Sequence, residues 1–401
     1  MDKRVWYLGL TRLIRTTGRV SSFIFLPLIF VFIYHLSFIL TGIILGFSTF
    51  LMSLVQYYSG AMTDKIGRRF FLIFIPIPAG FLYILMFLTV YYNLSYIILI
   101  ALFEMTIIVN ALQYPAIQAA IADITSESQR LSGYTIVRVL ANAGAAIGPI
   151  AGAVLATYNF GYIFLLAGIA TFIEIIILYF NVKETYIPIK EKIYAKKLSY
   201  LFNDRFFLIF SIIGIVLMLF LRQRGASLTL FAFDIEKLPI LYLAYIYAVN
   251  GLLVVIFQYP IYNILNRMSP VIGRSIGVVF YFIGYIILAF GHNLEFFLIS
   301  MSVMTIGEDF VAPTTQTIIT LIAPSNLRGT YIGIYNLITS FGSLSGSIIG
   351  LYVLSYFYSD ASLFWIIFGI GTLITGLSYI AINSMFYYSK RKVNTIKIAS
   401  R

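Results

Sequence analysis

The sequence predicts an all-α membrane protein, with twelve transmembrane helices in two pseudo-symmetric six-helix bundles. Three observations lead there. Apolar segments of spanning length run almost end to end, and only 10% of the 401 residues are charged, against roughly 25% in a soluble domain. The basic residues gather between alternate segments. Two stretches also repeat each other at a constant offset of 198 residues. Pro115, Gln118, Arg130, Gly144, Gly148 and Gly152 return as Pro313, Gln316, Arg328, Gly342, Gly346 and Gly350. A duplicated half in a membrane protein points to two bundles moving around a central site.

The spans are read at 8–34, 38–59, 70–90, 95–118, 131–156, 161–182, 206–232, 239–262, 273–291, 294–321, 329–355 and 360–384. Lys3, Arg4, Lys65, Arg68, Arg69, Arg130, Arg205, Arg267, Arg274, Arg328 and the basic residues of 183–205 and 390–401 fall on one side. The other side receives Lys237 as its one basic residue, with His35, Asp234, Glu236, His292, Glu295 and Asp360. This positive-inside pattern places both termini in the cytoplasm, in a multi-pass protein of the cell membrane. The longest polar stretch, 183–205, separates an N-terminal bundle at 1–182 from a C-terminal bundle at 206–401. It reads as a cytoplasmic linker, in part an amphipathic helix on the membrane surface. The last residues form a basic cytoplasmic tail. The first span holds three arginines with no cleavage site after it, so it is a retained helix and not a signal peptide.

Composition also excludes. The net charge of +12 sits on one side of the membrane, so it marks orientation and not a nucleic-acid partner. No cysteine is present, and both histidines lie in outer loops; no disulfide, metal site or cofactor is expected. The spans leave no room for a soluble catalytic domain. An intramembrane hydrolase would need facing catalytic groups, and Glu308 and Asp309 are adjacent on one helix. An enzyme is therefore not expected, and neither is a sensor, which would bring a signalling domain.

Taken in order, the spans carry few charges, and each is a pointer to function. Span 1 has Arg12, Arg15 and Arg19 on one face, the last two deep. Span 2 leads into a loop reading Gly60-Ala-Met-Thr-Asp64-Lys65-Ile-Gly67-Arg68-Arg69. Glycine there suits a tight turn, and Asp64 suits a nearby helix start, where a negative charge is favoured. Arg68 and Arg69 can pair with Asp64 or with lipid phosphates. Span 4 carries Glu104 and span 6 Glu174. Span 5 holds Arg138, Asn142 and then Gly144, Gly148, Pro149 and Gly152. Glycines four apart make a flat stripe for close helix packing, and the proline bends the helix.

The second half differs in its chemistry. Span 7 carries Arg222, Gln223 and Arg224 near its outer end, and span 10 carries Glu308 and Asp309 near its middle. Thr305, Glu308, Ala312, Thr315 and Gln316 share a polar or small face with Asp309 on its flank, a face that suits water or substrate. The aligned positions of the first half are Asn110 and Ala111, and Ser347 stands where the first copy has Pro149.

The loop pattern Gly-x3-Asp-Lys-x-Gly-Arg-Arg resembles the signature loop of the major facilitator superfamily, and it lies between spans 2 and 3 as in that family. The stripe Gly-x3-Gly-Pro-x2-Gly, and Arg130…Arg138…Asn142 before it, are similar to the drug:proton antiporter branch. The resemblance covers the whole chain. It implies that Asp64 latches onto the start of span 11 near Arg328-Gly329-Thr330, with Arg68 reinforcing the contact. The second copy of the loop, around Arg267 to Arg274, lacks the aspartate and first glycine, so only the first should latch. Two departures stand out. The last glycine of the stripe pattern is Ala153, and the family's arginine in span 4 is missing, so its proton-relay role does not carry over.

These readings predict a secondary active transporter, a proton-coupled antiporter exporting a small amphipathic compound by rocking of the two halves, and functional as a monomer. A carboxylate in a partly dry cavity can load and release a proton near neutral pH; Glu308 and Asp309 are the first choices, then Glu174 and Glu104. Six intramembrane arginines face four acids. They either hold an anionic group of the substrate or pair with the acids around a neutral aromatic cavity. The alternative is a symporter or facilitator importing a sugar or organic acid.

Overall fold

The computed structural model describes residues 2–185, 204–324 and 327–389. The linker at 186–203 and the tail at 390–401 lie outside them, and with them the expected amphipathic helix. Eleven helices are long and apolar enough to cross a membrane. In the first half these are α1 (Lys3–Ile33), α2 (Phe38–Ile66), α3 (Phe70–Tyr91), α4 (Tyr96–Ile124), α5 (Glu127–Tyr158) and α6 (Gly161–Asn181). In the second half they are α7 (Arg205–Ile235), α8 (Ile240–Leu265), α9 (Pro270–Phe290), α11 (Arg328–Tyr356) and α12 (Tyr358–Ala381). The twelfth long helix, α10 (Leu294–Ile322), is the one carrying Glu308 and Asp309.

Several helices begin at a side-chain cap that satisfies an orphan N–H. Asp2 accepts from Arg4 N at 2.8 Å, Asp204 from Phe207 N at 3.1 Å and Asn293 from Phe296 N at 3.3 Å. The helices α1 and α7 are discontinuous. The first segment of α1 ends at Phe23, and the helix resumes at Leu26–Leu28. The first segment of α7 ends at Leu221, passes through a tight turn at Arg222–Arg224 and Gly225, and resumes at Ala226–Leu230. Broken spans are tolerated in a bilayer only where protein or a cavity surrounds them.

The glycine stripes explain how each half packs. A side chain at Gly148 would meet the Thr17 carbonyl at 2.7 Å, and one at Gly152 the Ser21 carbonyl at 2.6 Å; Gly144 abuts Leu13 in the same way. In the second copy Gly342, Gly346 and Gly350 face Ile215, Leu219 and Gln223. The same three-step contact therefore joins α5 to α1 and α11 to α7. The two halves meet along α2 against α11 and α5 against α8. Gly42 and Gly46 let α2 approach the Ser347 and Leu344 carbonyls, and Gly251 lets α8 approach Ala146.

Toward the face opposite the basic residues, both halves share one apolar core, including Phe25, Leu28 and Phe30 of α1 with Leu228 and Phe231 of α7. Phe32 and Phe233 close it with ring centroids 5.2 Å apart. Toward the basic face the first half keeps a separate core, including Val5, Leu8, Phe71, Ile121 and Leu178. The apolar core of the first half toward the basic face is thus its own, while the opposite end is packed jointly by both halves.

Two expectations need correcting. The stretch read as a loop from Gly60 is mostly helix. The helix α2 runs to Ile66 and only Gly67 turns the chain, at φ 105°, which favours glycine. Nothing lies within 4 Å of where a side chain at Gly60 would sit, so tight geometry does not require glycine there. Arg274, read as a loop residue, is fully buried in α9. Its guanidinium lies 5.2 Å from the Phe210 ring and 4.9 Å from the Tyr379 ring, and Nη2 donates to Tyr335 Oη at 3.0 Å. Aromatic faces and a phenol hold this cation inside the second half.

Candidate functional site

Besides the surroundings of Arg274, three polar groups of side chains lie inside the helical shell. The first is within the N-terminal half. Arg15 is buried and donates to Thr171 of α6 and to Asn110 of α4. Its Nε lies 3.5 Å from Glu174 Oε2, and Gln113 donates to the other Glu174 oxygen at 3.3 Å. Asn110 also donates to the Tyr83 hydroxyl at 3.4 Å, and the Arg15 guanidinium sits 5.7 Å from that ring. Glu174 is fully buried. A buried pair survives in lipid only with its remaining polar atoms engaged, which Thr171, Asn110 and Gln113 largely achieve.

The second group lies between the halves, in a cavity of about 260 Å³ lined by α1, α2, α4 and α7. Arg19 and Arg222 both line it, with Ser48, Thr49, Phe23, Met52 and Ile107. A smaller recess sharing Arg19, Phe23, Met52 and Ile107 extends toward Tyr83 and Asn110. Arg222 donates to Ser347 Oγ at 3.2 Å and to Thr49 Oγ1 at 2.7 Å, so it ties α7 to both α11 and α2. Beside the cavity, Ser48 donates to Glu104 Oε1 at 2.6 Å, while Glu104 Oε2 is buried without a hydrogen-bond partner.

The third group is in the C-terminal half. Arg224 Nη1 donates to Glu308 Oε2 at 2.6 Å, and Asn250 of α8 donates to the same oxygen at 3.0 Å and to Thr305 Oγ1 at 2.9 Å. One residue further, the helix turns Asp309 away by about 100°. Asp309 is 3% exposed and neither carboxylate oxygen has a hydrogen-bond partner. Two adjacent acids therefore have opposite settings, one saturated and one bare.

A family model described as the Major Facilitator Superfamily matches residues 8–290 and 242–398. The chain belongs to the major facilitator superfamily. It is 24% identical to the MFS-type transporter YhjO of Bacillus subtilis (strain 168) over 343 residues, covering 84% of this chain and 83% of that one. It is 23% identical to a Na(+), Li(+), K(+)/H(+) antiporter of Planococcus maritimus over 392 residues, covering 89% and 90%. A crystal structure of the peptide transporter POT in complex with sulfate superposes with TM-score 0.81 at 14% identity, covering 97% of this chain and 96% of that one. The human organic anion transporter MFSD10 gives 0.66 at 15% identity, covering 94% and 98%. These structures share the fold.

Within this facilitator fold, the residues singled out from the sequence separate into distinct places. Arg15 and Glu174 form an internal pair of the first half, while Arg19 and Arg222 meet at the central cavity. Gln223, expected beside Arg224 near a substrate, is fully buried instead. It donates to the Leu219 and Gly346 carbonyls at 2.7 and 2.9 Å and accepts from Ser227, which locks the break in α7 against α11. Its side chain occupies the space that Gly350 leaves open. Arg138, expected to have a partner, is exposed and makes no ion pair among the described residues, though its charge acts across the interface on Glu308 and Asp309. Asn142 is half-buried on the same helix.

The loop residues also part company. Arg68 pairs with Asp123 of α4 at 3.2 Å and donates to the Thr63 carbonyl at 2.8 Å, both within its own half. Glu184, at the start of the linker, accepts from the backbone N–H groups of Arg68 and Arg69 at 3.0 and 3.1 Å. Lys65 is exposed, and the Asp64 side chain lies outside the described residues, as does its expected latch. Asn250, Gln113 and Thr49 had not been singled out. The signal was available for Asn250, a lone amide in an apolar span, whereas Thr49 takes meaning only from Arg222 across the interface.

Proposed function

We propose that the chain is a proton-coupled secondary transporter that exports a small amphipathic compound by antiport, with the halves rocking about the cavity between α1, α2, α4 and α7. The observation that carries the coupling is Asp309. A buried carboxylate with no hydrogen-bond partner is costly to keep charged, so a proton held or lost there changes the stability of one arrangement against the other. Glu308, by contrast, holds Arg224 and positions α7 against α10. Support for antiport comes from the glycine–proline stripe of α5 and from likeness to a cation/proton antiporter. The cargo named for that relative fits poorly here, because the two arginines in the cavity repel metal cations.

A second reading, a symporter or facilitator taking up an organic acid, is favoured by Arg19 and Arg222. An anion held between them binds best when nearby carboxylates carry protons, which couples the two in the same direction. Transport in inverted and right-side-out vesicles under an imposed pH gradient separates the readings. Antiport predicts uptake into inverted vesicles with an acidic interior. Uptake into right-side-out vesicles driven by inward proton flow sinks it in favour of symport.

A further inference from the structure

Every charge inside a membrane protein must be accounted for, because an unpaired one is costly. Arg15 is matched by Glu174, and Arg224 by Glu308. Arg274 is held by the Phe210 and Tyr379 rings and donates to Thr315, the Val311 carbonyl and Tyr335. Arg19 and Arg222 are different. They line one cavity, and neither forms an ion pair among the described residues. The partners of Arg222 are two neutral hydroxyls, those of Thr49 and Ser347, which orient the guanidinium without cancelling its charge. Two cations lining one space are both stabilised by an anion held in it. Guanidinium groups also present paired N–H donors that match the two oxygens of a carboxylate or phosphate.

The rest of the lining says what the anion is attached to. Phe23, Met52 and Ile107 supply apolar walls, and the recess toward Phe103 and Phe164 continues them. We propose that Arg19 and Arg222 form the binding site for the oxyanion headgroup, carboxylate or phosphate, of an amphipathic substrate whose apolar body lies against Phe23, Met52 and Ile107. The assignment rests on the transport reading above and names the substrate class of that cavity. Arg19 belongs to the first half and Arg222 to the second, so a bound anion links both moving bodies. Such a bridging ligand binds differently in the two arrangements, as a transported substrate must.

The test compares two probes with the same apolar body and opposite charge, octanoate and octyltrimethylammonium, below their micelle-forming concentrations. Each is titrated against the purified full chain in lipid nanodiscs, with thermal unfolding as the readout. Octanoate is expected to raise the unfolding temperature and octyltrimethylammonium to leave it unchanged. Arg19→Gln and Arg222→Gln should each weaken octanoate about ten-fold or more, the loss of one charge-assisted contact, and Arg→Lys at either position should weaken it less than glutamine does, since the charge stays while the paired donors are lost. Equal or stronger stabilisation by octyltrimethylammonium overturns the proposal, as does an octanoate response that survives both glutamine variants. The two-probe comparison on the unaltered chain stands even where a variant folds poorly. Counterflow of octanoate in proteoliposomes is measured separately. Arginine-dependent binding without any flux would uphold the site and sink the transport reading, whereas flux of a cationic compound without octanoate binding would do the reverse.

Discussion

Asp309 and Glu308 are neighbours in sequence with different work. Glu308 is tied by Arg224 at 2.6 Å and by Asn250 at 3.0 Å, whereas both Asp309 oxygens are bare. Asp309→Asn should therefore abolish gradient-driven transport while the protein still assembles and still exchanges substrate in the absence of a gradient. Glu308→Gln should act on assembly instead. It leaves Arg224 without its counter-charge, a loss of about 2 kcal/mol or more for a largely buried pair, visible as a lower unfolding temperature. Wild-type driven transport by Asp309→Asn would reject the assignment. From the sequence the two acids were indistinguishable, because their roles depend on α7 and α8, helices more than forty residues away in the chain. The deep position of Arg19 was legible from its place in the first span. Its lack of a partner was not, since that depends on where α2, α4 and α7 leave space.

At the scale of helices, the stripe of α5 was readable as a contact surface, and the structure identifies what it contacts. Gly144, Gly148 and Gly152 pack on α1, and the matching glycines of α11 pack on α7. Gly346→Leu would drive a side chain into the Leu219 carbonyl, which a side chain's first carbon already meets at 2.6 Å. Overpacking of this kind costs about 1–3 kcal/mol, so the variant should unfold at lower temperature and lose transport, and unchanged stability would argue against the contact. Eleven of the twelve helices were legible because length and apolarity fix a span. Helix ends were not, because α2 and α4 continue as helix past their last apolar run, to Ile66 and Ile124. Arg274 misled for a related reason. A single arginine at the edge of an apolar segment looks like a loop charge until Phe210, Tyr335 and Tyr379 are seen around it.

At the scale of the whole molecule, the two halves share an apolar core away from the basic face, and the first half keeps its own core toward it. The latch expected of Asp64 would act where the basic ends of α2 and α11 come together. With no cysteine in the chain, single reporters introduced on the basic ends of α2 and α11 can be labelled without background. Asp64→Asn is expected to increase their labelling at least two-fold by weakening closure, and identical labelling in both proteins would remove Asp64 from the latch.

The hydrogen bond from Arg222 to Thr49, 2.7 Å long and crossing from one half to the other, has a kinetic consequence. In the idle carrier it holds the halves in register, and a bound anion competes with Thr49 for the same guanidinium. The empty protein should then reset slowly while the loaded one moves freely, so that swapping cargo for cargo outruns net flow. Thr49→Val removes the acceptor, and the ratio of exchange to net flux should fall toward one. If that ratio stays at its wild-type value, the empty carrier is held by something other than Thr49.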